Sequence, residues 1–210
     1  MNKTIYLIRH SGPFVKINGY ENLPFEEQSK NMILSVEAEK KAELVSKISE
    51  LKNLDAVYCS NSSRAIETAK YIAHENSLKL NVVNDLNERK FGIKYLNELP
   101  EGYIKRQFED ENYKLKNGES LFEVKARIEN FVDDILENDN INRVGIVLHG
   151  IGLMAYIQNF ADVFFENDSF KITFNNNIVF NNIMKAPEIF KLEFDENKSI
   201  VSIENVIYHE

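Results

Sequence analysis

Two histidines stand directly after short apolar runs: His10 follows residues 4–8 and Arg9, and His149 follows residues 144–148. Both runs are rich in β-branched residues, which favours strands. Arg64 falls near the start of the helix expected after a second strand at residues 56–59, and Glu88 lies just past a third at residues 80–83. If these strands share one open parallel sheet, all five side chains reach the edge beyond the strands' carboxyl ends, where such sheets bind ligands. That set suits phosphoryl transfer through a phosphohistidine. A neutral imidazole is a nucleophile near neutral pH. Two guanidiniums and a second histidine can stabilise charge on the transferring phosphoryl oxygens. A carboxylic acid can protonate the leaving alkoxide. Helix N-terminal amides near Gly150 or Ser62 would add donors. A single strand-end histidine or arginine is as readily structural, so only their joint placement indicates a site.

The elements that must position these residues follow from periodicity. Leu34, Ala38, Ala42, Val45 and Ile48 recur at helical spacing, giving a helix of about four turns with Ser35 as its N-cap. A helix through Ala65, Ala69, Ile72 and Ala73 follows the second strand. A long helix spans residues 121–136, with Phe122, Ala126, Phe131 and Ile135 expected inward. Helical spacing resumes from residue 153 to 160. Strand and helix alternate, so the fold expected is a three-layer α/β/α arrangement with a mostly parallel sheet. Residues 188–208 alternate with period two around Asp195 to Lys198, which predicts an antiparallel hairpin at the sheet edge. The whole chain, 1–210, reads as one domain, with residues 85–118 a lid or inserted helical region. Tyr103, Lys105, Arg106 and Phe108 in that region are expected either to set substrate choice or to form a solvated amphipathic helix. The asparagines around 175–177 and 181–182 read as turn-forming surface. Phe164 and Phe165 are expected to pack a helix end or to line an interface.

Composition narrows the function classes. The 33 acidic residues against 25 basic ones give a net charge of -8, which argues against nonspecific nucleic-acid binding. A single cysteine, Cys59, excludes an intrachain disulfide framework and a thiolate metal site. Asp55, Asp85 and Asp162 do not fall at a ligand spacing, so no metal is expected. His74 reads as a surface residue and His209 as terminal. No apolar run reaches the roughly 20 residues of a membrane span, and the first residues carry no signal-peptide pattern. The expectation is a cytoplasmic protein acting on a small phosphorylated substrate, with no cofactor, nucleic acid or membrane partner. Pairing through the hairpin edge permits a dimer, but nothing specifies one.

Several segments, in order, resemble the histidine phosphatase superfamily, whose other large branch is the cofactor-dependent phosphoglycerate mutases. IYLIRHS (residues 5–11) resembles its opening Arg-His-Gly signature, and LSVEAEKKA (34–42) the following helix start, with Ala38 where a glycine is usual. DAVYCSNSSRAIETA (55–69) resembles the second signature. LNERKFG (86–92) is similar to the acid-bearing segment, GESLFEVKAR (118–127) to a Gly-Glu-Ser helix entry, and VGIVLHGIGL (144–153) to the last signature. The resemblance implies that His10 is the nucleophile, Arg9 and Arg64 bind phosphate, His149 is the electrostatic partner and Glu88 is the proton donor.

The departures bear on substrate. Ser11 replaces the signature glycine, which implies either a shifted loop or a hydroxyl donated to substrate. The asparagine usual six residues after the nucleophile is replaced by Lys16, with Asn18 two residues late, so either could meet the phosphate. Gly12-Pro13 stands where an acidic residue is usual. LNERKFG is close to the mutase form, but Leu96 and Leu99 fall where mutases carry a glycine and a carboxylate-binding lysine, and Phe91 where they carry a tyrosine. The expected activity is therefore a metal-independent phosphoric monoester hydrolase of the histidine acid phosphatase type. The alternatives are a mutase-like phosphotransferase and a noncatalytic phosphate-binding module.

Overall fold

The run after Asn2 forms β1 (Lys3–Arg9), and its parity divides the core in two. Ile5 and Leu7 pack into one apolar cluster while Tyr6 and Ile8 pack into another. A strand buried on both faces must read as a continuous apolar run, and residues 5–8 do. The computed structural model describes residues 2–15 and 22–208. Lys16 and Asn18 lie outside the described residues, as does His209.

Along the chain follow α1 (Phe25–Asn31), α2 (Val36–Ser46), β2 (Ala56–Cys59), α3 (Ser63–Glu75), β3 (Leu80–Val82), α4 (Tyr103–Glu109), α5 (Leu121–Glu137), β4 (Arg143–Leu148) and α6 (Gly150–Ile157). After them come β5 (Asp162–Glu166), β6 (Ser169–Phe174), β7 (Asn177–Asn182), β8 (Glu188–Phe194) and β9 (Ile200–Asn205). The main sheet has the order β3-β2-β4-β1-β8-β9. β3, β2, β4 and β1 pair in parallel, and β8 and β9 add the antiparallel edge expected at residues 188–208. Residues of α2 and α3 join the cluster on one face of the sheet, and residues of α5 and α6 the cluster on the other, which gives the three layers.

The helix boundaries follow local chemistry. Ser35 caps α2, accepting from the Ala38 amide, and the helix closes after three turns at Ser46. Ser120 and Glu123 form a reciprocal capping box on α5. That cap marks where the helix begins, and the buried stripe is the set of aliphatic residues at three- and four-residue spacing: Leu121, Val124, Ile128, Val132 and Ile135. Of the inward set expected from sequence only Ile135 lies in it, and Phe122 is exposed. α6 starts at Gly150, directly after His149 and three residues earlier than its spacing indicated. α1 was not anticipated, since none of its residues is buried and its sequence carries no apolar stripe.

A second sheet, β5-β6-β7, is the main departure from the sequence expectation. Its two turns are Asn167-Asp168 and Asn175-Asn176, with all four residues at positive φ. Two-residue turns of that kind match the twist of hairpin strands, and asparagine and aspartate tolerate them best. Phe164 and Phe165 thus belong to a strand, and only Phe165 packs against a helix end, the last turn of α4. Phe165 rests on Phe170 and on Phe108 of α4, while Phe164 faces outward.

Candidate active site

The register of the sheet brings the two histidines together. Arg9 pairs with Leu148 across β1 and β4, so the next residues of both strands, His10 and His149, leave the sheet side by side. The His10 amide donates to the Leu148 carbonyl at 3.0 Å, and the ring centroids lie 5.1 Å apart. β2 ends beside β4, with Ser60 N donating to Val147 O at 3.0 Å, and the first turn of α3 presents Arg64. Arg64, His10 and His149 are all buried. Glu88 arrives from the segment after β3 and remains partly exposed, at 22%.

Hydrogen bonding assigns the tautomers. The Ser11 carbonyl can only accept, so His10 Nδ1, at 2.7 Å from it, carries the ring proton. Nε2 is left with the lone pair, and Arg64 Nε donates to it at 2.9 Å. His149 is arranged the other way round. Arg64 Nη2 donates to its Nδ1 at 3.0 Å, so Nε2 holds the proton and donates to Ser60 Oγ at 2.8 Å. Ser60 Oγ in turn donates to Asn87 Oδ1 at 3.2 Å, next to Glu88. Burial, reinforced by each other and by Arg64 for His10 and by Arg64 for His149, holds both imidazoles well below the ordinary histidine range. Both are therefore neutral at physiological pH.

The remaining cations frame this pair. Arg9 Nη1 donates to the carbonyls of Met184 at 2.6 Å and Lys185 at 3.0 Å, while its buried Nε has no protein partner. Arg64 Nη1 donates to the Ser29 carbonyl, so α1 lies against the same guanidinium. Glu88 Oε2 sits 3.6 Å from His149 Nδ1 and 4.0 Å from Arg64 Nη2, and Oε1 accepts from the Arg89 amide at 3.0 Å.

Two glycines hold the Glu88 segment in place. Gly92 has φ +74°, and a Cβ there would stand 2.3 Å from Gly118 N; one on Gly118 would stand 2.7 Å from Phe91 O. The segments 86–92 and 118–127 therefore touch backbone to backbone, stitched by Glu119 N to Lys90 O and by Lys90 N to Glu119 Oε2, each 2.8 Å. Glu26 of α1 closes the third side, accepting from Phe91 N at 2.8 Å.

Two cavities meet at Glu88. One, of 590 Å³, is lined by Arg64, Ser62, Asn87 and three lysines; the other, of 330 Å³, by Arg9, His10, Gly150 and apolar side chains of α4, α6 and the second sheet.

The five residues read from sequence are thus brought together, but Ser11 is not among them. It is fully buried, its Oγ donates to the Ala38 carbonyl at 2.7 Å, and its amide donates to Thr68 Oγ1 at 3.0 Å. Its φ is not positive, so the left-handed strain that a serine there could have carried does not arise. The two departures, Ser11 and Ala38, face each other. Tyr103, Arg106 and Phe108 on α4 pack on Phe91, Tyr113 and Phe170, and it is Ile104 that lines the smaller cavity. Sequence reasoning also missed Ser60, Asn87 and Arg89. The Arg89 guanidinium is buried beside Glu88, 3.6 Å from Oε1 and stacked over Phe91 at 4.3 Å. Its position next to Glu88 was the available signal. Among the described residues no group of three or more His, Cys, Asp or Glu is placed to hold a metal, and no helix is long and apolar enough to cross a membrane.

The model of the histidine phosphatase superfamily (branch 1) matches residues 5–181. It does not assign an acid phosphatase subtype. No curated protein matches the chain in sequence. Among solved structures, a mycobacterial glucosyl-3-phosphoglycerate phosphatase superposes with a TM-score of 0.70 at 14% identity, covering 99% of each chain. A phosphoglycerate mutase from Bacillus anthracis str. Sterne gives 0.67 at 17% identity, covering 98% of this chain and 92% of that one. Bacillus stearothermophilus YhfR gives 0.69 at 19%, covering 95% and 94%. At these identities the likeness is one of fold.

Proposed function

The chain belongs to the histidine phosphatase superfamily, and from that premise we propose that it hydrolyses a small phosphomonoester through a phosphohistidine, without a metal. The observation that carries this reading is the tautomer of His10. With Nδ1–H donated to the Ser11 carbonyl, Nε2 carries the ring's lone pair; it accepts from Arg64 Nε and is freed for phosphorus when that guanidinium turns to the phosphoryl oxygens. In the first step Nε2 forms a bond to phosphorus while the bond to the ester oxygen breaks, and Glu88 gives its proton to the departing alkoxide. Arg9 and Arg64 balance charge on the equatorial oxygens, and His149, neutral at rest, adds to them only on taking up a proton as that charge arrives. In the second step water attacks the phosphohistidine, Glu88 takes the water's proton, the N–P bond breaks and phosphate leaves. Arg64 is the pivot, because it donates to both imidazoles and fixes their separation.

Water is favoured over a second phosphate acceptor because Leu96 and Leu99 stand where a mutase carries its glycine and carboxylate-binding lysine. The phosphatase named among the structural neighbours is in keeping with this reading, and the mutase marks its competitor.

Phosphate release from a panel of phosphomonoesters, with EDTA present, tests the proposal. The expected result is EDTA-resistant release from wild type, none from His10→Ala, and acid-labile 32P label on wild type only. Release that survives His10→Ala, or is lost in EDTA, would overturn it. Transfer between phosphoglycerates without phosphate release would make the protein a mutase-type phosphotransferase, and phosphate binding with no turnover a binding module.

A further inference from the structure

The larger of the two cavities at Glu88 carries a charge opposite to that of the molecule. The chain has a net charge of -8, yet Lys30, Arg64, Lys90 and Lys94 line this cavity against only Glu26 and Glu88. Both carboxylates are already engaged. Glu26 accepts from the Phe91 and Gly92 amides, and Glu88 lies against Arg64, Arg89 and His149. Some lysines elsewhere are matched to acids, as in Lys47 with Glu43, Lys70 with Glu39 and Lys125 with Glu111, while others stand singly; among the described residues, only at this cavity do three gather without an acid partner. Lys30, Lys90 and Lys94 make no ion pair among the described residues. Glu119 and Glu98 come close to Lys90 and Lys94, but each accepts from the lysine's backbone amide and forms no ion pair with its ammonium. The lining also holds uncommitted amide donors. Asn87 Oδ1 accepts from Asn61 N at 2.9 Å and from Ser60 Oγ, which leaves its Nδ2 hydrogens available. The cavity opens onto Ser62, Arg64 and Glu88, beside the reacting imidazole, and its 590 Å³ is enough for a leaving group of metabolite size.

We propose that Lys30, Lys90 and Lys94 form a second anion subsite, so that the preferred substrate carries, besides the phosphoryl group that is transferred, a carboxylate or second phosphate on its leaving group. The proposal rests on the phosphomonoesterase reading above and names its substrate class. The three lysines come from two segments that are pinned together, α1 and the stretch after Glu88, through Glu26 and through Phe25 N to Lys94 O at 2.8 Å. The subsite is therefore held at a fixed distance from His10 by the same contacts that hold Glu88. Lys30 lies on the helix whose Ser29 is bonded to Arg64.

The test compares 3-phosphoglycerate and fructose 1,6-bisphosphate, which carry a second anion, with p-nitrophenyl phosphate, which does not. For wild type, kcat/KM is expected to favour the doubly anionic esters and to fall more steeply for them with added salt. In the triple variant Lys30→Gln, Lys90→Gln, Lys94→Gln, the ratio of kcat/KM for a doubly anionic ester to that for p-nitrophenyl phosphate should fall at least tenfold, mainly through KM. Binding to the His10→Ala protein, measured by calorimetry with inorganic phosphate and 3-phosphoglycerate, reads the subsite without turnover, and the lysine substitutions should weaken only the second ligand. Active protein whose ratio does not change, or which prefers aryl esters that suit the apolar cavity, overturns the subsite and leaves the phosphatase reading intact. Absence of all turnover, with the lysines still tightening 3-phosphoglycerate over phosphate, overturns the phosphatase reading and leaves the subsite.

Discussion

Ser11 shows at the scale of one residue how a departure from a signature can be structural and not chemical. Its position beside His10 makes a substrate contact the natural inference, but its hydroxyl donates to Ala38 O inside the buried joint between β1 and α2. The Ser11 carbonyl orients His10, and a change of side chain leaves that carbonyl in place. Ser11→Ala is therefore expected to lower stability by about 1 kcal/mol, the usual worth of a buried hydrogen bond, while KM for a phosphomonoester stays within twofold. Urea denaturation and steady-state kinetics on the same preparation check both halves; a large rise in KM at unchanged stability would return Ser11 to the phosphate site. The contrast with Arg9, His10, Arg64, Glu88 and His149 explains which residues were legible in sequence. Those five are charged or titratable types at or beyond strand ends, and their joint placement was informative where each alone was not. Ser60 and Asn87 act only by relaying a hydrogen bond from His149, and small polar residues in loops are too common to stand out.

Among the elements, legibility followed burial pattern. β1 and β4 are buried on both faces and read at once as apolar runs. The β5-β6-β7 sheet presents one face to solvent, most plainly in β6, where buried Phe170 and Ile172 alternate with Lys171 and Thr173, and a scan for helix period passes over such strands. The two-residue Asn-Asp and Asn-Asn turns between alternating segments were the signal that could have found it. α5 shows the opposite limit. It was legible as a helix, but its face was misjudged: the aliphatic stripe Leu121, Val124, Ile128, Val132 and Ile135 is buried, whereas Phe122 is exposed, and the Ser120–Glu123 capping box marks where the helix begins. That cap also fixes the segment which stitches down Lys90 and, through it, the Glu88 loop. Ser120→Ala should cost about 1 kcal/mol of stability and loosen the segment around Glu88. Hydrogen exchange is the measurement, with faster exchange expected at the amides of Lys90, Phe91 and Glu123; unchanged protection at Lys90 would show that the cap and the loop are independent.

For the whole molecule, placing two neutral imidazoles beside a buried guanidinium couples stability to pH. His10 and His149 are held well below 6.5 in the folded chain, chiefly by burial, whereas in the unfolded chain each takes a proton near that value. Above pH 6.5 neither state binds these protons and stability is unaffected. Below it the unfolded state binds more, so stability falls as pH falls, with a limiting slope of about 1.4 kcal/mol per pH unit for each histidine. The global charge works in the other direction. The net charge of -8 shrinks as pH approaches the isoelectric point near 5.2, which relieves self-repulsion and favours the folded state. A loss of stability between pH 7 and 5.5 would therefore come from the local pair and not from the molecule's average charge. Urea midpoints across that range should fall for wild type and fall less for His10→Asn with His149→Asn. Imidazole proton shifts followed by NMR on wild type should show two histidines that stay neutral in the folded state through the pH range where a free histidine titrates. A wild-type midpoint that stays level or rises toward the isoelectric point, with both imidazoles titrating near 6.5, would mean that burial does not hold the pair neutral and that His10 takes up a second ring proton as pH falls through that value.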